Sequence, residues 1–444
     1  MLVAGASFPV NNEENTAGKN GSLMDENTNR IYTEILKSEL KTALGCTEPI
    51  AIAYCVAYAK RVLGKAPDHC DVYCTGSMIK NASAVTVPQT GGLRGIEAAA
   101  LAGLFGGDAE QELEVLSAIT DNDRKQIQAA MGTGLVCVHL QEHEVPLRVE
   151  AVLTAGGDTA SAEVIHTHTG LGTVQRNGTV LSQTSKESAE DDEAKFKSLN
   201  IRDILAYADT VELSQVEELL RKQISQNRQI AGEGLQRDWG ARVGKTILAQ
   251  SGSDLRARAI AMAAAGSDAR MNGCALPVVI NGGSGNQGLT VSLPVLAFAE
   301  AKGASEEQLL RALCVSNLVS LRQKSEIGRL SAYCGVVCAA TGAIAGIGYL
   351  NGNSYEVIAQ SIVNSIGCIG GMVCDGAKSS CADKIAVALQ CAFLGYDLAC
   401  AGAGFQSGEG IVKDGVEETI DSVGRMARRG MQETNREILE IMMD

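Results

Sequence analysis

Leu135-Val136-Cys137-Val138-His139-Leu140, then Leu147-Arg148-Val149-Glu150-Ala151-Val152-Leu153, then Ala162-Glu163-Val164-Ile165-His166, is the run that decides the fold. Turn residues separate three apolar-rich segments of strand length, and within the second and third apolar and polar side chains alternate. That is the pattern of half-buried strands. Thr173-Val174-Gln175 and Thr179-Val180-Leu181, on either side of Arg176-Asn177-Gly178, extend the run as a hairpin. Outward from this block the period lengthens. Toward the N-terminus, Ile31, Ile35, Leu36, Leu40 and Leu44 recur at helical spacing and predict a helix ending at Gly45. Pro49 opens a second, apolar helix from Ile50 to Leu63. Val72-Tyr73-Cys74 is a short strand, an alanine-rich helix runs from Ile96 to Phe105, and two short helices fall within 110–131. Toward the C-terminus nearly everything reads helical, over 201–208, 211–228, 254–271, 294–302, 305–320, 353–366 and 382–401. The expected fold is α+β. A flexible tail (1–27) precedes a mixed α/β domain with a small antiparallel sheet (28–195), and a mostly helical domain (196–444) follows. The polar stretch 184–197, containing Glu190-Asp191-Asp192-Glu193, is the linker.

Composition narrows the function classes. Hydrophobic residues make up 45% and aromatics only 4%, so the core must be built from small aliphatic side chains and close backbone approach. A formal charge of −14 excludes a general nucleic-acid surface, which needs clustered Lys and Arg. No apolar run reaches the ~18 residues of a membrane span. The first ten residues lack the basic start of a signal peptide, so a reducing, cytoplasmic location is expected. There the 14 cysteines are buried hydrophobes or ligands rather than disulfides.

Three of those cysteines stand at the mouths of glycine-rich turns: Cys46 in Gly45-Cys46-Thr47-Glu48-Pro49, Cys334 in Tyr333-Cys334-Gly335, and Cys374 in Met372-Val373-Cys374-Asp375-Gly376. Three thiolates can hold three corners of a [4Fe–4S] cluster and leave the fourth iron open as a Lewis acid. No local ferredoxin run exists. Further loops rich in Gly, Ser, Asn and Thr are Gly76-Ser77-Met78-Ile79-Lys80-Asn81, Pro88-Gln89-Thr90-Gly91-Gly92-Leu93-Arg94-Gly95 and Asn281-Gly282-Gly283-Ser284-Gly285-Asn286-Gln287-Gly288. Such loops bring backbone N–H groups close to an anion, though they also serve packing alone. Ser77, Asn81, Thr90, Ser284 and Asn286 are the candidate contacts to a substrate's carboxylate and amine, with turn capping as the competing role. His166-Thr167-His168 reads as one face of a strand, a polar outer face more than a zinc site. Lys80, Lys324, Lys378 and Lys384 are the lysines that a pyridoxal-phosphate enzyme would need, but the full phosphate cup is not there to point to.

Together these loops resemble the bacterial and archaeal L-cysteine desulfidases, which are related to the alpha chains of iron–sulfur L-serine dehydratases. The resemblance covers about residues 30–440. It implies an oxygen-sensitive [4Fe–4S] cluster on Cys46, Cys334 and Cys374, and conversion of L-cysteine to pyruvate, ammonia and sulfide. The serine dehydratases space their cluster cysteines differently, which leaves Cys368 and Cys381 open as replacements for Cys46. The general base is Lys324, Lys378, Asp375 or the Cys46 thiolate. L-Serine dehydration and a non-catalytic iron–sulfur redox sensor are the rival readings. The expected partner is a small amino acid; no nucleic acid or membrane is expected, and a homo-oligomer is left open.

Overall fold

The computed structural model describes residues 25–184, 194–251 and 254–444. Its larger sheet has six strands: β2 (His69–Cys74), β3 (Val136–Leu140), β4 (Arg148–Ala155), β5 (Asp158–Ile165), β6 (Leu171–Arg176) and β7 (Thr179–Ser182). Their order is β3-β2-β4-β5-β6-β7. Only β2 and β3 are parallel; the other pairs are antiparallel. The alternation in sequence becomes two faces. Val149, Ala151, Leu153, Ala160, Ala162 and Val164 are buried, while Arg148 ties together the outer face through Glu163 (2.6 Å) and Glu150 (2.9 Å). Helix Thr47–Leu63, apolar almost all round, covers β4 and β5 and carries helix Gly95–Gly106 on its other side. The two helices touch backbone to side: a methyl at Gly103 would lie 2.4 Å from the Ala53 carbonyl oxygen.

The C-terminal part packs helices Leu255–Met271, Gly285–Lys302, Glu306–Ile327, Val336–Leu350, Tyr355–Ile369 and Cys381–Cys400 into a bundle around the buried Val336–Leu350 helix. The fold is therefore α+β, with a mixed α/β N-terminal region and a helical C-terminal region.

The structure differs from expectation at several boundaries. The first helix runs from Glu26 to Glu39, not to Gly45. Thr42–Leu44 instead form β1, antiparallel to β8 (Pro277–Val279) in a two-stranded sheet that joins the N-terminal and C-terminal regions. Leu40 and Leu44 are buried in either conformation, so their spacing could not reveal a partner more than two hundred residues away. Asp25 caps the first helix by accepting from the N–H of Asn27 (2.8 Å) and Thr28 (3.2 Å), so this helix and its cap reach into the expected 1–27 tail. The rest of that tail, and 185–193 of the expected linker, lie outside the described residues. The helix placed at 294–302 starts at Gly285 and passes through Pro294. Helix Val336–Leu350 was not foreseen. Its Gly342 and Gly346 read as breakers, yet they let it approach helix Glu306–Ile327 closely; methyls there would lie 2.4 Å from Ser316 O and 2.8 Å from Ala312 O.

Candidate functional site

Cys46 leaves β1 through Gly45, whose φ of +75° and contact with Pro88 exclude a side chain, and caps helix Thr47–Leu63. Cys334 stands two residues before helix Val336–Leu350, and Cys381 opens helix Cys381–Cys400. The Cys334 and Cys374 segments form a minimal antiparallel bridge, Tyr333 opposite Val373. In it the Cys334 N–H donates to Met372 O (2.9 Å) and the Cys374 N–H to Ala332 O (2.6 Å). Cys381 packs with Cys46, Val85, Met271 and Ala377 in a small buried cluster. Burial pushes the Cys46, Cys334 and Cys381 thiols up; the Glu48 carboxylate adds to this at Cys46, and Cys374 does so at Cys334 and Cys381. The loops thus bring Cys334, Cys374 and Cys381 within electrostatic reach of one another, and Cys381 in turn packs beside Cys46. Cys368 is exposed and neighbours Cys391 instead.

Four helices begin around these thiols, capped by Cys46, Ser284, Gly335 and Ser380, and none of the four caps makes a side-chain bond to its helix. At two of these starts backbone carbonyls take up N–H groups instead, Lys378 O and Ser379 O for Cys381 and Ala382, and Cys334 O for Val337; the positive ends of the helix dipoles still favour an anionic group between them. Several buried polar atoms also lack partners: Nε and Nη2 of Arg270, Oε1 of Gln287, Oδ1 of Asn81 and Nε2 of His168. Glu48, 8% exposed, accepts from the Cys46 thiol (3.1 Å) and Asn81 Nδ2 (3.3 Å). His168 Nε2 lies 3.7 Å from Glu48 Oε1, an ion-pair separation rather than a hydrogen bond. Burial alone would raise the Glu48 carboxyl, but His168 and the Cys46 thiol hold it down, to about 2. His166 and His168 are not on a strand: β5 stops at Ile165, His166 takes φ +66° in a turn, and His168 turns inward. The outward set on the sheet is a different one, His69 and His139 around Asp71, with Cys137 beside them.

The profile of the serine dehydratase alpha chain family matches residues 96–440. The chain belongs to that family. A UPF0597 protein of Lachnoclostridium phytofermentans is 48% identical over 93% of this chain and 99% of its own length. UPF0597 proteins of Desulfitobacterium hafniense (44%; 94% of this chain, 97% of the relative) and Treponema denticola (42%; 95% and 99%) are similar along the same extent. Membership in the serine dehydratase alpha chain family points to a lyase-type enzyme associated with iron–sulfur chemistry. Among the described residues no helix is long and apolar enough to cross a membrane.

The donor set fits such a group in this serine dehydratase-like chain: cysteine thiols, helix N-termini and buried cationic or polar atoms without partners come from neighbouring segments. The remaining expected residues separate into distinct settings. Lys324, 7% exposed, has its amine pushed down by burial, lies within electrostatic reach of Cys334 and Cys374, and among the described residues makes no hydrogen bond through its amine. A cavity of about 740 Å³ beside the Tyr333–Val373 bridge is lined by Ser77, Gly282, Lys324, Ser331, Ala332 and Asn435. Lys378 is paired with Asp375 (2.5 Å), and Lys384 reaches the same carboxylate oxygen. Burial would raise Asp375, but the two ammonium groups hold it down, to about 2. Lys80 is spent on Ser331 O (3.2 Å), Cys374 O (3.0 Å) and Asn435 Oδ1 (2.7 Å). Ser77 accepts from Asn435 Nδ2 (3.3 Å), and the Thr90 hydroxyl is occupied within its own turn by Val87 O and the Leu93 N–H. Ser284 caps the Gly285 helix, and Asn286 accepts from Arg270 Nη1 (3.2 Å). Arg270 and His168 were missed as site residues. Arg270 reads as an ordinary last-turn cation on an alanine-rich helix, and only its burial reveals it.

Proposed function

We propose that this member of the serine dehydratase alpha chain family is an iron–sulfur lyase that converts L-cysteine and water to pyruvate, ammonia and sulfide. The observation that supports it most is that thiols from loops far apart in the chain, Cys381 packed beside Cys46 and the Cys334 segment bridged to that of Cys374, stand near the starts of helices. Cys46, Cys334 and Cys374 are the residues that would hold a [4Fe–4S] cluster, whose open iron supplies a Lewis acid for the leaving sulfur. Lys324 is the base assigned to the Cα proton. Burial moves its amine toward the neutral, proton-accepting form, while Asp375 is too acidic and Lys378 is tied up in its ion pair. The Cys46 thiol donates to Glu48 and is held protonated while no metal is bound. As Lys324 takes the Cα proton, the C–S electron pair leaves with sulfide. The released aminoacrylate tautomerises and hydrolyses without further help from the protein.

The choice of cysteine follows the resemblance of the loops to the L-cysteine desulfidases. The family membership favours a second reading in which L-serine loses hydroxide. The deciding experiment is purification without oxygen, iron and sulfide analysis, and pyruvate release from L-cysteine against L-serine. Four irons with cysteine as the better substrate is the expected result. Preference for serine selects the second reading, a cluster with no turnover on either leaves a redox sensor, and absence of iron sinks all three.

A further inference from the structure

We propose that Arg270 is the receptor for the substrate's α-carboxylate; this rests on the reading that the site takes an amino acid. Arg270 ends helix Leu255–Met271 and is 2% exposed. Among the described residues no acidic side chain pairs with it. The nearest acid on its helix, Asp268, accepts instead from the Gly244 N–H (3.0 Å). Nη1 donates to Asn286 Oδ1 (3.2 Å) and touches Met271 Sδ (4.0 Å), while Nε and Nη2 have no partner. Those two atoms form one edge of the guanidinium. The same edge of Arg221, in this same chain, takes both oxygens of Glu306, at 2.8 and 3.3 Å. The unpartnered pair on Arg270 therefore has the donor arrangement of a bidentate carboxylate fork.

The surroundings place that fork at the proposed reaction site. Met271 packs on Cys46, and Asn286 Nδ2 contacts Met271 Sδ at 3.6 Å. The guanidinium lies against the N-terminus of helix Gly285–Lys302, where a methyl on Gly285 would fall 2.2 Å from Nε. The C-terminal end of the Arg270 helix favours a cation, which helps tolerate the charge but fills neither N–H. A buried guanidinium with an empty edge is costly unless an anion completes it. The α-carboxylate is the anion that every amino-acid substrate brings, whatever its β-substituent. Arg270 would then set the class of substrate, and other residues the leaving group.

The test compares wild type, Arg270→Lys and Arg270→Met, all purified anaerobically with iron counted. Arg270→Met is expected to keep its iron and to raise KM for L-cysteine at least about 30-fold, with a smaller change in kcat, since one partner of a buried charge-assisted pair is lost. It should also lose the wild type's preference for L-cysteine over the methyl ester. Arg270→Lys, a point charge without the fork, should fall between. Calorimetric binding of pyruvate, a monocarboxylate, should be measurable in wild type and absent in Arg270→Met. Pyruvate binding and ester discrimination unchanged in the variants would overturn the inference. So would loss of iron in both, which would make Arg270 a countercharge to the thiolates. If wild type turns over neither amino acid, the lyase reading fails, and pyruvate binding alone still decides the role of Arg270.

Discussion

Cys46 and Cys381 share one buried cluster, so single replacements separate ligand from neighbour. Cys334→Ala, Cys374→Ala and Cys46→Ala should each lose iron and pyruvate formation together, while Cys381→Ala should keep both. Iron retained by Cys46→Ala and lost by Cys381→Ala would exchange the two roles. Asp268 offers a test of stability instead of chemistry. Burial lifts its carboxyl from the ordinary 3.8 to about 6, against the N–H groups of Gly244 and Val243. The folded state thus binds this proton more tightly than the unfolded one. The carboxyl's best contribution is present below about pH 4 and is lost as pH rises through about 6. Asp268→Asn should therefore stabilise the protein by about 1 kcal/mol at pH 7 and scarcely at pH 4, read as midpoint shifts in urea. A gain equal at both pH values would contradict the shift. Cys46, Cys334 and Cys374 could be singled out because each stands in a glycine-flanked turn. Arg270, His168 and Asp268 could not, because the burial of a polar side chain is a property of surroundings that arrive from distant parts of the chain.

At the level of helices and strands, glycine is where expectation and structure part. Gly288 belongs to the first turn of helix Gly285–Lys302 and presses on β8, where a methyl would lie 2.0 Å from the Val279 carbonyl oxygen. Gly288→Ala should cost about 1–3 kcal/mol as an overpacked contact, and by moving Asn286 it should also raise KM for the substrate. Gly232, inside helix Glu217–Gln236, has nothing within 4 Å of an added methyl. Gly232→Ala should stabilise by about 0.5–1 kcal/mol through helix propensity alone. Thermal midpoints of the pair check both, and a similar shift in the same direction for the two would refute the packing argument. The strands were legible because one face of the sheet is buried and a period of two follows. The starts of helices Gly285–Lys302 and Val336–Leu350 were not, because their glycines answer to neighbouring helices and not to local propensity.

For the whole molecule, the absence of periodic apolar residues in 1–24 leads to a simple expectation. Deleting them should leave iron content and turnover unchanged, and a large fall in either would refute it. The rest of the chain is tied end to end. β1 pairs with β8, Lys80 is held by Cys374 and by Asn435 of helix Gln432–Met443, and Leu439 of that last helix sits against Gly76. This closure has a consequence for biogenesis. On the ribosome, Cys46 emerges long before Cys334 and Cys374, and the Lys80 clasp waits for Asn435, 355 residues further on. Before Cys374 has emerged no nascent intermediate can hold the three thiols together, so the cluster of the proposed function would be built late. Until then the cell must shield unpaired thiols and half-built pairing edges from oxidation and from each other.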